Sequence, residues 1–233
     1  MNHETGIPSA AETQVSGAAP ARILIVDDHP IVRQGYSLLI ASQTDLRVCG
    51  EAASTAEAIA RIGQAVPHLI IVDVRLKDSD GMDLIKQVRL ERPNIKILVV
   101  SALDEDLFAD RVLQAGALGF INKQEATENL IRGIRAVLRG EVYLSERMTK
   151  RLLKRNVGTG IEEATSPMDR LSNRELQVFR LIGQGLPTKR IAVEMNLSPK
   201  TVERYRENIK SKLQLQNSME LVRTATQWVL ESP

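Results

Sequence analysis

The sequence predicts an α/β fold with a doubly wound five-stranded parallel sheet, followed by a small all-α unit of four helices. Five short runs of β-branched residues and leucine alternate with five helix-length segments over about the first 140 residues. Runs that are apolar on both faces are typical of parallel strands covered by helices on each side. From residue 169 onward no strand pattern remains, only helical periodicity. A chain of 233 residues is long enough for these two domains.

The elements of the first domain follow in order along residues 21–140. Residues 1–20 are rich in Ala, Ser, Gly and Thr, lack periodicity and are predicted to form a disordered tail. The predicted strands cover 23–26, 46–49, 69–72, 95–100 and 118–121. The predicted helices cover 30–42, 54–64, 81–91, 104–115 and 125–139. Ser54 followed by Glu57 is a capping box at one helix start, and Asp104 can cap another.

A linker, residues 141–168, leads into the second domain at residues 169–233. The linker contains a candidate basic helix at 145–155 and then a stretch rich in turn-forming residues. The helices of the second domain are predicted at 172–184, 188–195, 199–213 and 217–230. Ser172 with Glu175 makes another capping box, and Ser198 before Pro199 is a strong helix start signal.

Composition and charge limit the classes of function. Apolar residues make up 43% and charged residues 26% of the chain, as in ordinary globular proteins. No apolar run approaches the ~18–20 residues of a membrane span, and the N-terminus lacks the pattern of a secretory signal, so we expect a cytoplasmic protein with no membrane partner. The single cysteine, Cys49, excludes an intramolecular disulfide.

Charge is distributed unevenly between the two parts of the chain. Residues 1–140 carry 15 Lys and Arg against 18 Asp and Glu, whereas residues 141–233 carry 16 against 11. A basic second part suits a domain that meets a polyanion such as nucleic acid. Two unrelated surfaces can produce the same difference, so charge alone leaves both interpretations open.

Five polar side chains are predicted to meet at the carboxyl edge of the sheet, where open α/β sheets bind their ligands. Asp27 and Asp28 follow the first strand, and Asp73 follows the third. Ser101 ends the fourth strand, and Lys123 follows the fifth. Carboxylates this close repel one another unless a hard cation joins them, and Mg²⁺ prefers oxygen ligands. Each residue taken alone is also compatible with a turn, a helix cap or a solvated side chain.

The motifs around these residues closely resemble response-regulator receiver domains over residues 22–140. They are the segments 23–30, 71–74, 99–102 and 119–123, with Gly81 eight residues past the aspartate of the second segment. The resemblance implies a flavodoxin-like receiver in which Asp73 accepts a phosphoryl group from a histidine of a sensor kinase. A carboxylate is a competent nucleophile for this reaction.

The resemblance also implies roles for the neighbours of Asp73. Asp27 and Asp28 would hold Mg²⁺ together with Asp73. Ser101 would hydrogen-bond the phosphoryl group and Lys123 would pair with it. Phe120 falls at the aromatic switch position, which turns inward when the hydroxyl moves, although an ordinary packed aromatic is the alternative.

One position departs from the receiver pattern. Many receivers have proline four residues after the phosphorylated aspartate, where this chain has Lys77. Without the fixed φ of proline the loop is less restricted, and the lysine adds a positive charge near the site. The departure bears on phosphoryl lifetime more than on the capacity for phosphorylation.

The second domain closely resembles the LuxR-type helix-turn-helix over about residues 169–230. The resemblance rests on residues 171–175, 185–192 and 197–202, continuing to 213. The helix at 199–213 supports it independently, because Val202, Ile209 and Leu213 form one apolar stripe at ~100° per residue. A recognition helix needs such a division between one packed side and one side facing DNA.

The polar side of that helix supplies the candidate DNA contacts. They are Lys200, Thr201, Glu203, Arg204, Glu207 and Asn208, together with Lys189 at the start of the preceding helix. Lys200 and Thr201 lie near the helix N-terminus, which suits phosphate. Arg204 can read guanine and Glu207 cytosine. A merely solvated face is the alternative, and Trp228 is expected to pack rather than to contact DNA.

Together the two resemblances identify the chain as a member of the NarL/FixJ family of transcriptional regulators. Membership implies a response regulator, and not an enzyme, in which phosphorylation by a sensor histidine kinase controls binding of a homodimer to inverted half-sites in promoter DNA. A regulator of the same family that works without phosphorylation is the alternative. Two classes of enzyme fit the sequence poorly. A haloacid-dehalogenase-like phosphatase has an Asp-x-Asp motif, but this chain has Arg75 in place of the second aspartate. A dinucleotide oxidoreductase needs a glycine-rich turn after the first strand, and the turn at 27–30 contains no glycine. Specific DNA binding would count against a pure scaffolding module.

Overall fold

The computed structural model describes residues 19–77, 80–157 and 167–231. Residues 1–18 of the predicted tail lie outside the described residues, as do parts of the loop after Asp73 and of the linker. The chain divides into two compact units, Met1–Gly158 and Thr159–Pro233.

The first unit contains a five-stranded parallel sheet in the order β2-β1-β3-β4-β5. The strands are β1 Ala21–Val26, β2 Leu46–Ala52, β3 Leu69–Val72, β4 Lys96–Ser101 and β5 Gly119–Asn122. The helices are α1 Pro30–Ala41, α2 Thr55–Ala65, α3 Gly81–Glu91, α4 Glu105–Gln114, α5 Ala126–Leu138 and α6 Glu146–Val157. The predicted doubly wound α/β fold is confirmed.

The centre of the sheet is buried on both faces. All four residues of β3 are at most 1% exposed, and one face packs on α1 and α5 through a cluster that includes Ile25, Ile40 and Ile134. The edge strand β2 differs, since most of its residues are partly exposed. It runs to Ala52, three residues beyond the predicted end, because its pairing with β1 continues past Gly50, where the apolar pattern stops.

Several helix starts form as the sequence predicts. The Ser54 hydroxyl accepts a hydrogen bond from the Glu57 amide over 3.3 Å, and the Glu57 carboxylate accepts one from the Ala53 amide over 2.8 Å. Ser172 and Glu175 make a complete capping box. Such caps satisfy amides that the helix leaves without partners, which fixes where each helix begins.

The edge strand β5 is covered by the segment that follows α5. Tyr143 pairs with Gly119 as an isolated parallel bridge. The Phe120 amide donates to the Tyr143 carbonyl, and the Tyr143 amide donates to the Leu118 carbonyl, each over 2.9 Å. The chain then enters α6, the helix predicted in the linker, whose Met148 is fully buried.

The described residues of the second unit form four α-helices after a short 3-10 turn at Pro167–Arg170. They are α7 Asn173–Gly183, α8 Thr188–Glu194, α9 Pro199–Leu213 and α10 Ser218–Glu231. Gly185 separates α7 from α8 with a positive φ of 82°. Trp228 of α10 packs on Phe179 of α7 with 5.6 Å between ring centroids, so it serves the core as predicted. None of the helices in the described part of the chain is long and apolar enough to cross a membrane.

Gly81 allows α3 to begin against the strand end that carries Asp73. A Cβ at Gly81 would lie 2.3 Å from the Asp73 carbonyl oxygen and 2.8 Å from the Val74 Cα. Both contacts are with backbone, which cannot move aside without displacing the site. The glycine at this spacing therefore sets how closely α3 approaches the predicted phosphorylation site.

We expect Gly81→Ala to lower the free energy of unfolding by about 1–3 kcal/mol, because it forces backbone apart. The control is Gly63→Ala in α2, where an added Cβ meets no described atom within 4 Å and the helix gains about 0.5–1 kcal/mol. Urea unfolding followed by circular dichroism measures both. Equal stability of the two variants would contradict this account of Gly81.

Candidate functional site: the carboxyl edge of the sheet and the helix-turn-helix

The five predicted residues do meet at the carboxyl edge of the sheet. Asp73 is 3% exposed at the end of β3. Its Oδ1 accepts hydrogen bonds from the Ser101 hydroxyl over 2.6 Å and from the Arg75 amide over 2.9 Å. Its Oδ2 accepts one from Lys123 Nζ over 2.6 Å. A hydroxyl, an amide and an ammonium group thus surround the carboxylate.

Lys123 bridges two buried acids. Its Nζ lies 2.6 Å from Asp73 Oδ2 and 2.6 Å from Oδ2 of Asp27, which is only 1% exposed. Burial would lower the pKa of Lys123, but the two carboxylates more than offset this effect and leave the pKa raised. The ammonium group is therefore charged at neutral pH and compensates the acids around it.

The acidic cluster has the donors that a hard divalent cation requires. Carboxylate oxygens of Asp27, Asp28 and Asp73, with a nitrogen of His29, lie within 4.8 Å of one another. Two buried oxygens accept no well-oriented hydrogen bond from the described residues: Asp27 Oδ2, which lies 2.6 Å from Lys123 Nζ, and Asp28 Oδ1, which lies 2.8 Å from His29 Nδ1. Such oxygens fit Mg²⁺, which takes oxygen ligands and keeps several waters.

Sequence reasoning missed two residues of α1: Arg33, which contacts the site, and Tyr36, whose pKa is affected by the charges of the site. Arg33 donates to the Asp27 carbonyl over 2.6 Å and pairs with Glu51 of β2 over 3.1 Å, so it supports the acidic turn. Burial raises the pKa of Tyr36, and the charges of Asp27 and Asp73 raise it further. The only signal for them in the sequence was their spacing: Arg33 and Tyr36 are three positions apart on the helix that begins at Pro30, and so lie on one face of it.

The two predicted switch residues are both buried. Ser101 is fully buried with its hydroxyl turned toward Asp73, and Phe120 is 1% exposed within β5. A buried Phe120 is compatible with a switch residue and with a packed core aromatic. Lys77 is exposed, and residues 78–79 beside it lie outside the described residues, so its effect on phosphoryl lifetime stays a prediction.

The faces of α9 divide as the periodicity predicts. Val202 and Ile209 are fully buried. Among the candidate DNA contacts, the exposed side chains are Lys200, Glu203, Arg204, Glu207 and Asn208 on α9 and Lys189 on α8. Thr201 is half-buried, and its hydroxyl lies 2.8 Å from the hydroxyl of the helix cap Ser198.

The charged residues of α9 differ in their partners. Glu207 pairs with Lys210 over 2.9 Å, and Glu203 accepts a hydrogen bond from the Thr188 hydroxyl over 2.7 Å. Arg204 extends over the Tyr205 ring, 6.0 Å from its centroid. Six of the seven candidate DNA contacts are therefore exposed, and both carboxylates among them are engaged by protein groups.

An ion pair that sequence reasoning missed joins the buried Glu175 of α7 to the exposed Lys212 of α9. The Glu175 carboxylate accepts hydrogen bonds from Lys212 Nζ over 2.6 Å and from the Ser172 amide over 2.8 Å. Burial would raise the pKa of Glu175, but these two donors offset it and leave the pKa lowered. The capping box gave the role of Glu175 at the start of α7, but its long-range partner had no sequence signal.

Comparison with protein families assigns both units. Residues 23–135 match the response regulator receiver domain, and residues 169–225 match the bacterial regulatory proteins of the luxR family. The fold and the site thus define a response regulator with a receiver domain and a LuxR-type DNA-binding domain, and the family regulates transcription rather than catalysing metabolic reactions.

Full-length relatives have the same arrangement. The oxygen regulatory protein NreC of Staphylococcus carnosus is 34% identical over 208 residues, which cover 88% of this chain and 96% of that protein. The response regulator GacA of Pseudomonas protegens is 32% identical over 200 residues, which cover 86% of this chain and 92% of that protein. The chain belongs to the NarL/FixJ family of response regulators.

Solved structures agree. The Salmonella typhimurium response regulator RcsB, studied for conformational dynamism in DNA interaction, is 25% identical with a TM-score of 0.58, covering 90% of this chain and 98% of its own. RcsB of Salmonella enterica serovar Typhimurium, bound to promoter rprA in the presence of the phosphomimetic BeF₃⁻, is 26% identical with a TM-score of 0.56, covering 89% and 98%.

We expect Lys212→Met to destabilise the second unit by about 1–3 kcal/mol at neutral pH, since it leaves a buried carboxylate unpaired, with part of the effect lost because Lys212 is exposed to solvent. The lowered pKa of Glu175 means that the pair stabilises the fold above the usual pKa of 4.5. The difference from wild type should shrink as the pH falls below that value.

The fluorescence of Trp228, the single tryptophan of the chain, reports unfolding of this unit. Lys200→Met, at the exposed start of α9, is the control. A pH-independent difference for Lys212→Met would contradict the assigned ion pair.

Proposed function

We propose that this protein is a two-component response regulator in which phosphorylation of Asp73 by a sensor histidine kinase controls sequence-specific DNA binding and transcription. The observation that carries the proposal is the placement of Ser101, at the end of β4, and Lys123, directly after β5, within hydrogen-bond distance of the Asp73 carboxylate. We further infer a cytoplasmic protein that binds inverted half-sites as a homodimer when phosphorylated.

The chemistry follows from the partners of Asp73. A carboxylate oxygen attacks phosphorus of the phosphohistidine, the new O–P bond forms, and the P–N bond breaks as the imidazole leaves. Asp27 and Asp28 with Asp73 would hold Mg²⁺, which neutralises phosphoryl oxygens when bound. Lys123 is already charged and close enough to pair with the phosphoryl group, and the Ser101 hydroxyl can donate to it.

The covered edge of the sheet offers a route from this chemistry to the linker. Phe120 of β5 is hydrogen-bonded through its amide to Tyr143. Two residues on, the amide of Ser145 donates to a carboxylate oxygen of Glu105 in α4 over 2.9 Å, and its hydroxyl donates to the other oxygen. A change at Ser101 or Phe120 would thus reach α6 through both β5 and α4, which is how a local charge change can bias a larger element.

The DNA-facing side of α9 supports the output. Lys189 and Lys200 are exposed and are candidates for contacts with phosphates. Arg204 is also exposed and is a candidate for reading guanine. Two solved structures of RcsB, which is similar to this chain, contain promoter DNA and were obtained in the presence of the phosphomimetic BeF₃⁻. They support a link between phosphorylation and DNA binding in this protein.

Asp73→Asn should abolish labelling by a small-molecule phosphodonor in Mg²⁺ buffer, because an amide is not nucleophilic enough to accept the group. Asp83→Asn, an exposed acid in the first turn of α3, is the matched control and should label like wild type. Intact-protein mass spectrometry measures the added phosphoryl group. Equal labelling of the Asp73 variant would remove the assignment.

Glu105→Ala should leave labelling unchanged but reduce the gain in DNA affinity on phosphorylation by about fivefold, since it removes both hydrogen bonds that hold Ser145. Glu146→Ala, an exposed residue paired with Lys150 on the next turn, is the control. Titration of labelled operator with phosphorylated and unphosphorylated protein gives the gain. Identical DNA affinity and molar mass in wild type with and without phosphodonor would favour a regulator that works without phosphorylation.

Arg204→Ala should cost ~1–3 kcal/mol at the right site and relax preference at one base pair. Lys189→Ala should instead weaken binding to all sequences alike and reduce the slope of affinity against salt by ~1. Competition binding against a library of single-base variants at two salt concentrations separates the two. If Arg204→Ala weakens every sequence equally, Arg204 is a phosphate contact.

A further inference from the structure

Glu203 lies on the exposed side of α9, yet its carboxylate is directed at α8. One oxygen accepts a hydrogen bond from the Thr188 hydroxyl over 2.7 Å, and the other lies 3.6 Å from Arg206 Nε. Thr188 is the first residue of α8, and Lys189 comes next. A single side chain of α9 therefore joins the start of α8 to the second turn of α9.

A carboxylate on this side of α9 is unfavourable for DNA binding unless it has a further role, because the DNA backbone is a dense row of negative phosphates. The negative charge of Glu207 is paired with Lys210 of the same helix. Glu203 differs, since its hydrogen-bond partner belongs to another helix. Pro187, the described residue at the N-cap of α8, provides no side-chain hydrogen bond to the first turn of that helix. The contact between Glu203 and Thr188 therefore also stabilises the start of α8.

We propose that Glu203 is a positioning residue for DNA recognition, which holds the start of α8, and with it Lys189, in a fixed place relative to the base-facing side of α9. The inference rests on the proposed DNA-binding role of α9. It differs from the direct DNA contact that the sequence predicts for Glu203, because the carboxylate is already engaged by Thr188 and lies near Arg206. Ordering the two helices before binding reduces the entropy lost when DNA is bound.

The test compares variants that remove the contact with variants that keep it, in the full chain treated with phosphodonor. Glu203→Ala and Thr188→Val remove the hydrogen bond, whereas Glu203→Gln and Thr188→Ser retain an acceptor and a donor. We expect each removing variant to weaken binding about two- to tenfold for every member of a single-base-variant library. The double variant should lose no more than either single variant, which is the sign of a direct interaction.

The retaining variants should bind at least as tightly as wild type, since glutamine accepts the same hydrogen bond without the repelling charge. Glu203 is 55% exposed, so these changes should leave the unit folded, and the fluorescence of Trp228 checks that it is. Equal tightening by Glu203→Ala and Glu203→Gln would assign Glu203 to a solvated face and overturn the proposal. Relaxed preference at one base pair in Glu203→Ala would assign it to base reading and overturn it as well.

The same experiment separates this inference from the proposed function. If the wild-type chain selects no DNA sequence, the proposed DNA binding fails and the positioning role fails with it. If the wild-type chain selects a sequence but the losses of the two removing variants add in the double variant, only the positioning role fails.

Discussion

The ammonium group of Lys123 lies between the carboxylates of Asp27 and Asp73, 2.6 Å from each, and the receiver depends on this arrangement of charges. These two aspartates are only 1% and 3% exposed. Without a counter-charge the carboxylates would repel each other, and their burial would destabilise the fold by several kcal/mol. The acids come from the ends of β1 and β3, and the lysine follows β5. The ion pair therefore fixes the relative positions of three strand ends, and any anion added at Asp73 must be balanced by the same lysine or by a metal ion.

Strand β5 joins the residues of the proposed phosphorylation site to the segment that leads to α6. Lys123 follows it, Phe120 lies within it, and its outer edge pairs with Tyr143 of the segment that leads to α6. The strand has only four residues, so a displacement at one of these points cannot be absorbed within it. Close-packed interiors transmit such displacements rather than absorbing them. Under the proposed function, the short strand would connect a change at the buried Asp73 carboxylate to α6.

Sequence predicted the residues whose position follows from periodicity and chain order. The strand ends that carry Asp73 and Ser101 follow from apolar runs, and the exposed side of α9 follows from the buried Val202 and Ile209. Long-range partners could not be predicted this way, because the Glu175–Lys212 pair spans 37 positions and no local pattern encodes it. The predicted ends of some elements were also inaccurate. Strand β2 continues beyond its apolar run because backbone hydrogen bonds do not depend on side-chain polarity.

The pairing of Tyr143 with β5 has a consequence for the solubility of the receiver. An edge strand presents unpaired amides and carbonyls that can recruit a strand from another molecule, and natural proteins cover or interrupt such edges. Here the cover comes from residues beyond α5, outside the segment that matches the receiver family at 23–135. A receiver shortened to end at residue 140 would keep every residue of the proposed phosphorylation site and lose this cover. Its four-residue edge would then be open to edge-to-edge self-association, a tendency that belongs to the truncation and not to the natural chain.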